Sequence, residues 1–354
     1  MDFKNFDTII DARTPAEYAL DHIPGAVSAP VLSDAQRAEV GTLYKQVSPF
    51  EAKKLGGALV AQNVARHVET LFKGRDRAWK PLIYCWRGGK RSGAMAHILR
   101  EIGWDARTLE GGYRAYRRWV VEQLLSLPLE FDFVVVHGPT GSGKSRLLSA
   151  LARAGAQVLD LEALAAHRGS VLGGLPHEPQ PTQKWFESQL LEKLQTLDRA
   201  QPVFVEGESK KIGQIQVPEA LMARMRSSRC ILLDTDTEAR VTLLLQEYEH
   251  FVADRAALDA QLDCLVALHG REKIGDWKAL AAQGRWREFV ARLLAEHYDP
   301  AYRRSSQANY VQLAQAPRVR IGSADEPAFD SAAATLLLGV QAGENANVLH
   351  GATP

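Results

Sequence analysis

Cysteine is scarce. The chain has three in 354 residues, Cys85, Cys230 and Cys264, too few and too far apart for a disulfide framework or a cysteine-built zinc site. An excess of one charge is also missing, since 43 Lys and Arg stand against 42 Asp and Glu. No apolar run reaches the roughly 18 residues of a spanning helix. The opening MDFKNFDTIIDARTPAEY has no basic stretch leading into an apolar one, so secretion is not expected and a reducing cytoplasm is. Internal repeats are absent. What remains is 46% hydrophobic and 24% charged, a composition that builds packed cores rather than a disordered chain. At about 150 residues per domain, two domains are expected and a third has room.

The neutral total hides a local imbalance. Between Leu71 and Arg118 there are 12 Lys or Arg and 4 Asp or Glu, a formal +8, which leaves −7 for the rest of a +1 chain. A basic segment of this kind suits a polyanion.

The pattern along residues 1–127 predicts a small α/β domain. TIIDAR reads as a buried strand presenting Asp11 and Arg13, and Thr14 caps a helix opened by Pro15, with Glu17 three residues on. Residues 33–70 read as helix broken at Gly56 and Gly57. PLIYC is a strand, WRGGKR a tight loop, and SGAMAHILREIG a helix stopped by Gly103. DARTLEGG and YRAYRRWVVEQL follow as strand, turn and helix. A second α/β unit spans 128–323. Its strands FDFVVVH, AQVLDLE, PVFVEGE and RCILLD are continuously apolar, as in a parallel sheet covered on both faces. Long helices at about 243–298 form an attachment to it. Residues 324–354 are rich in small residues and predict no element. Cys230 and Cys264 read as small core residues.

Cys85 ends a strand and begins CWRGGKRS. Two glycines let a loop close onto a helix start, so that several backbone N–H groups point at the thiol and favour its thiolate. Arg87, Lys90 and Arg91 add positive charge. The spacing from Cys85 to Arg91 is C-x5-R, shared by cysteine-dependent phosphatases and, with one residue fewer, by sulfurtransferases that carry a chalcogen on the thiol. Phosphatase chemistry also needs a general acid, and none is legible.

Residues 138–145, GPTGSGKS, satisfy the phosphate-loop pattern between a strand and a helix. Gly138, Thr140, Gly141, Ser142, Gly143 and Lys144 would cradle a di- or triphosphate, and Ser145 would hold Mg²⁺. ATP or GTP is one such ligand among several. Asp160, Glu206 and Asp234 sit at ends of neighbouring strands, where ligands of parallel sheets bind. Glu206 opens EGESKKIG, which supplies Glu208, Ser209, Lys210 and Lys211. His22, His97 and His137 make no metal pattern.

IIDAR, HIPGA, LEGGY and the Cys85 loop together resemble the rhodanese-like domain. Joined to GPTGSGKS and VFVEGESKKIG, they resemble the bacterial tRNA 2-selenouridine synthase family over nearly the whole chain. The resemblance implies an N-terminal rhodanese-like α/β domain followed by a P-loop NTPase-like parallel-sheet domain. It implies a transferase acting on 2-thiouridine at wobble position 34 of tRNA for Lys, Glu and Gln. Geranyl diphosphate would give an S-geranyl intermediate, and selenophosphate, supplied by a selenophosphate synthetase, would give 2-selenouridine. Cys85 would serve selenation and the phosphate loop a phosphorylated ligand. Arg114, Arg117 and Arg118, with Tyr116 among them, and Arg303 with Arg304 are candidates for tRNA contact. Trp185, Phe186 and the apolar faces of 243–297 are candidates for a geranyl slot. The chain would act as a monomer or small homo-oligomer, away from membranes. A persulfide-dependent sulfurtransferase with an attached ATPase, or a non-enzymatic RNA- or nucleotide-binding adaptor, are the competing readings.

Overall fold

Four short parallel strands carry the first unit: β1 (Thr8–Asp11), β2 (Val27–Ser28), β3 (Pro81–Tyr84) and β4 (Arg107–Thr108), in the order β2-β1-β3-β4. The computed structural model describes residues 1–176 and 178–341. Every residue of β3 is buried, as an apolar run covered on both faces requires. Ile10, Ile83, Met95, Leu99, Phe72 and Trp79 meet in one core. Thr14 and Glu17 form the expected capping box, and Gly103, left-handed at φ 107°, ends the helix Lys90–Ile102.

One expectation fails here. The helix Pro49–Glu69 runs straight through Gly56 and Gly57, and the break falls earlier, after the helix Asp34–Gln46. Ser48 caps the new helix and Pro49 starts it, a stop-and-start signal that outweighs two interior glycines. Gly56 is instead a packing residue, since a Cβ there would stand 3.3 Å from Val40.

Beneath the sheet end lies a fully buried polar cluster. Arg13, 1% exposed, donates from Nη2 to Asp11 at 2.6 Å and to the Asp21 carbonyl at 2.5 Å. Tyr84 donates to Asp11 at 2.7 Å, and Tyr113 and Ser188 donate to the Asp21 carboxylate at 2.6 and 2.8 Å. Ser188 comes from far along the chain, because Thr182–Glu192 folds with Met1–Leu124 in this unit. Arg13→Ala would leave Asp11 buried and unpaired, so a loss of about 3–5 kcal/mol is expected in urea unfolding. Asp11→Asn combined with Arg13→Met should recover part of it. Equal losses for the single and double variants would show that the charge pair is not what matters.

The second unit, Leu125–Pro181 with Lys193–Pro354, holds a five-stranded parallel sheet. Its strands are β5 (Phe133–His137), β6 (Gln157–Leu159), β7 (Val203–Glu206), β10 (Arg229–Thr235) and β11 (Arg318–Ile321), in the order β11-β10-β5-β7-β6. A small antiparallel pair, β8 (Lys211–Ile212) and β9 (Ile215–Gln216), follows β7. The central β5 feeds the phosphate loop and the helix Lys144–Arg153. Residues expected to be featureless form the helix Glu326–Gln341, whose Phe329, Ala332, Ala333 and Leu336 join the core around Val134, Val136 and Leu147. The small residues let this helix lie close, so they are a packing feature. Residues 342–354 lie outside the described residues.

Helices from Thr237 to Asn309 make a second core around Trp277, Phe289, Leu293 and Tyr298. Cys230 is buried in β10 as expected, but Cys264 is exposed at the end of the helix Arg255–Asp263. That helix buries Leu258 and Leu262, and position 264 falls off their face. Among the described residues no helix is long and apolar enough to cross a membrane.

Candidate functional site

Two loops carry the reactive groups, one in each unit. In the first, Cys85 follows β3 and is 3% exposed. Burial pushes its thiol up, but the Ser92 hydroxyl, 3.2 Å from Sγ, and the backbone N–H groups of Ser92, Gly89 and Arg87 outweigh that. The result lies below the ordinary value of 9.0. This is the anion cradle that two glycines and a helix start should make.

The Gly-Gly turn at 111–112 locks the loop in place. Tyr113 N–H donates to the Cys85 carbonyl at 2.8 Å and Arg114 N–H to the Trp86 carbonyl at 3.1 Å. A Cβ on Gly112, at φ +57°, would lie 2.3 Å from both the Cys85 carbonyl and the Gly88 nitrogen. Only glycine lets the two segments approach this closely.

The three basic residues of the loop divide. Arg91 is bound to Glu17 at 2.6 Å and 3.3 Å; burial pushes Glu17 up, but Arg91 and the Thr14 N–H bring it below its ordinary value. Arg91 therefore braces the loop. Arg87 and Lys90 are exposed and remain available to an anion. Asp11 and Arg13 belong to the buried cluster beneath the loop.

The arginine-rich helix Gly112–Ser126 corrects another expectation. Tyr116 is 2% exposed and points inward, so its ring offers no stacking surface. Trp86 does: it is 38% exposed and lies 5.4 Å from the Tyr113 ring. Trp86, Arg114, Arg117, Arg118 and Lys184 line one shallow surface pocket. Arg114 and Arg118 are exposed, whereas Arg117 is paired with Glu187.

In the second unit, the loop after β5 closes at Gly143, φ +85°, where a Cβ would come within 2.5 Å of the Phe329 ring. Lys144 donates to the Gly138 carbonyl at 3.3 Å. Buried Arg240 donates to the Thr140 carbonyl at 2.8 Å and to Asp299 at 2.6 Å, and Thr235 donates to the Ser142 carbonyl at 2.8 Å. Gly138, Thr140, Gly141, Gly143, Lys144 and Ser145 line an open cleft of about 630 Å³. Ser142 is buried behind it.

Carboxylates gather on the far wall. Ser145 donates to Glu162 at 3.0 Å, and a Cβ on Gly169 would lie 2.7 Å from Glu208 and 2.9 Å from Glu162. Burial, then the Glu162 charge, raises Glu208 well above the ordinary carboxylate range. Burial and the surrounding acids do the same to Glu206, which accepts the Glu162 N–H at 2.7 Å and keeps Oε2 unpartnered. Among the described residues no cluster of three His, Cys, Asp or Glu could hold a metal alone. Mg²⁺ asks less of the protein: a hydroxyl, a carboxylate or two, and ligand phosphate oxygens suffice. Ser145, Glu162 and Glu208 fit that demand.

The other sequence candidates scatter. Asp160 and Ser209 line the cleft, and Asp160 also caps a short helix through Ala163. Asp234 is exposed, 4.0 Å from Arg318. Lys210 pairs with Glu219 at 2.5 Å, and Lys211 is exposed in β8. Arg303 and Arg304 are exposed on the helix Asp299–Asn309.

Trp185 and Phe186 belong to the first unit and line neither the phosphate cleft nor the apolar cavity of the second. Trp185 stacks on His22 at 4.0 Å in the first unit, and Phe186 is fully buried. An apolar cavity lies among the helices after 243. Leu244, Tyr248, Phe251, Phe289, Val290 and Leu294 belong to a cavity of about 40 Å³ with almost wholly apolar walls. Thr140, Ser170, Leu244, Tyr248 and Tyr298 line both this cavity and the phosphate cleft, so the two are adjacent.

Comparison with known proteins agrees with this division. Residues 131–268 match the family model described as the tRNA 2-selenouridine synthase AAA domain, and residues 1–118 match the Rhodanese-like domain. Three relatives are named tRNA 2-selenouridine synthase. The Nitrosomonas europaea protein is 37% identical over 68% of this chain and 63% of its own length. The Bdellovibrio bacteriovorus protein is 38% identical over 68% and 64%, and the Alcanivorax borkumensis protein 34% identical over 85% and 90%. The match thus spans just under two thirds of the first two relatives and nine tenths of the third.

Proposed function

Given that this chain belongs to the tRNA 2-selenouridine synthase family, we propose that it is a transferase converting 2-thiouridine at tRNA position 34 to 2-selenouridine, by way of an S-geranyl intermediate. The observation that carries this reading is the junction of phosphate cleft and apolar slot. A prenyl diphosphate is a strongly charged head on an apolar tail, and five residues line both the phosphate cleft and the adjacent apolar cavity. Nucleotide hydrolysis alone gives no use for the slot.

In the alkylation, the thiocarbonyl sulfur attacks C1 of the geranyl chain and the C1–O bond breaks onto the diphosphate. Loop N–H groups, the start of the helix Lys144–Arg153 and the Lys144 ammonium meet the charge as it develops. Mg²⁺, held by Ser145 with Glu162 and Glu208, would supply further charge neutralisation when bound. Selenophosphate, an anion that already carries its selenium, suits the Cys85 cradle with exposed Arg87 and Lys90. Stacking on Trp86 and phosphate contacts from Arg114, Arg118, Arg303 and Arg304 support binding of the anticodon arm.

Thiolated tRNA incubated with geranyl diphosphate and selenophosphate, together and separately, then digested for nucleoside mass spectrometry, tests the proposal. S-Geranyl-2-thiouridine is expected with the first alone and 2-selenouridine with both. ATP hydrolysis with no effect of geranyl diphosphate would favour the sulfurtransferase reading. Val290→Trp, which fills the slot, is expected to raise the KM for geranyl diphosphate at least about tenfold, since several buried methylene contacts are lost. The five-carbon dimethylallyl diphosphate should be affected less. Equal effects on both would remove the slot from the reaction.

A further inference from the structure

Alkylating a thiocarbonyl leaves a proton to be placed. In 2-thiouridine N3 carries hydrogen; in the neutral S-alkyl product C2 and N3 share a double bond and N3 carries none. As sulfur bonds to C1 and the diphosphate departs with the C1–O electron pair, the N3–H pair becomes the C2=N3 bond and the proton must go to a base.

The bases lining the phosphate cleft can be compared. Glu162 and Glu208 crowd each other beside Ser145 and are better suited to a cation or a shared proton. His167 accepts the Gly169 N–H at 3.1 Å through Nδ1, and that bond holds the loop. His297 is different. It is 6% exposed, lines the cleft, and neighbours Tyr298 at the junction with the apolar slot. Its Nδ1 stands 2.9 Å from Nε2 of His269, and no other hydrogen bond of the ring is seen among the described residues. His269 is partly exposed, so the pair runs from the cleft towards solvent. The residues Leu294–Tyr298 wind as a π-helix, a widened turn that recurs at functional positions.

We infer that His297 is the base that accepts the N3 proton during alkylation, and that His269 relays it to water. The inference rests on the reading in the preceding subsection. In the tautomer required, His297 donates Nδ1–H to His269 and keeps Nε2 free. Once Nε2 is protonated, the Nδ1 proton passes to His269 Nε2, and His269 releases its own Nδ1 proton to solvent. No oxidant or further reactant is needed.

The electrostatics agree. Burial pushes His297 below its ordinary value of 6.5, and His269 and Arg304 push the same way. His269 is lowered by burial, Lys273 and Arg304 against the opposing Glu296. Both rings are therefore neutral at pH 7 and able to accept a proton.

Single-turnover alkylation of thiolated tRNA with geranyl diphosphate, without selenophosphate, provides the test. His297→Gln is expected to slow the step about 100-fold or more at pH 7, with half-saturation by geranyl diphosphate changed less than about threefold. The rate of the unsubstituted enzyme should level off below pH 7, while that of the variant should keep rising about tenfold per pH unit as hydroxide replaces the base. His269→Gln should lose about tenfold, a milder variant that keeps the test open should His297→Gln fold poorly. An unchanged pH profile in His297→Gln, or a loss wholly explained by weaker binding, overturns the inference. If the unsubstituted enzyme yields no S-alkyl nucleoside, the proposed function fails and takes the inference with it.

Discussion

Replacing Lys144 with alanine is expected to slow alkylation by about two to three orders of magnitude, the effect of removing one preorganised donor from a developing oxyanion. The ammonium lies at the rim of the loop, 3.3 Å from the Gly138 carbonyl, where it can swing to a phosphate without rearranging the backbone. Because the diphosphate gains further negative charge as the C1–O bond breaks, kcat should fall more than KM rises. Selenium incorporation from thiolated tRNA should fall in step, since the intermediate is not made. Incorporation from tRNA already carrying S-geranyl-2-thiouridine should persist. Lys144→Arg should rescue little, a planar fork being a poor substitute for a compact charge at this position. Gly143→Ala gives an independent check, because its Cβ would drive against Phe329 at 2.5 Å and so distort the cradle while Lys144 is kept. Stabilisation by inorganic diphosphate in a thermal melt should shrink in both variants. A Lys144→Ala enzyme that alkylates normally would show that the phosphate loop serves another ligand.

What could be read from the sequence follows from how local each signal is. Both loops are contiguous: an anion cradle is made of successive N–H groups, so CWRGGKRS and GPTGSGKS carry their chemistry within eight residues each. Most strands of the parallel sheets are legible for the same reason, being short continuous apolar runs, whereas β11, RVRI, alternates exposed and buried residues and gives no such signal. Groups assembled from distant elements were not. Arg240 and Asp299 brace the phosphate loop from 100 and 159 residues beyond Thr140, and nothing in their local sequence distinguishes them from surface charges. In the sequence Asp160 and Glu206 mark the strand ends, yet it is Glu162 that meets Ser145. Tyr116 looked like a stacking residue because arginines flank it, but helical spacing turns position 116 inward with Tyr113 and Val120 and leaves Trp86 outside. Arg91 shows the opposite error: it sits in the loop by sequence and is spent on Glu17 by geometry. Trp185 and Phe186 have the right chemistry for an apolar slot, but the apolar cavity of the second unit is lined by other residues.

Cys85→Ala should abolish selenation, with 2-selenouridine below about 1% of the unsubstituted yield, while S-geranyl-2-thiouridine accumulates. A sulfur group is lost from the first unit only, and the alkylation residues, all in the second, are untouched. Cys85→Ser should fare no better, because a hydroxyl does not ionise near neutral pH even in a cradle of donors. The pH dependence follows from the same bonds. Ser92 and the N–H groups of Ser92, Gly89 and Arg87 stabilise the thiolate and place its pKa below 9.0. With the S-geranyl intermediate supplied, the selenation rate should therefore climb with pH and level off before pH 9. Ser92→Ala removes the hydroxyl donor to the charged form, which raises the pKa and moves the rise to higher pH. The variant should be about tenfold slower at pH 7, the worth of one hydrogen bond to a charged group, and should approach the unsubstituted rate at alkaline pH. A deficit that stays constant with pH would mean that Ser92 holds the loop and leaves the thiolate alone. Full selenation by Cys85→Ala would move the selenium chemistry out of the rhodanese-like unit altogether.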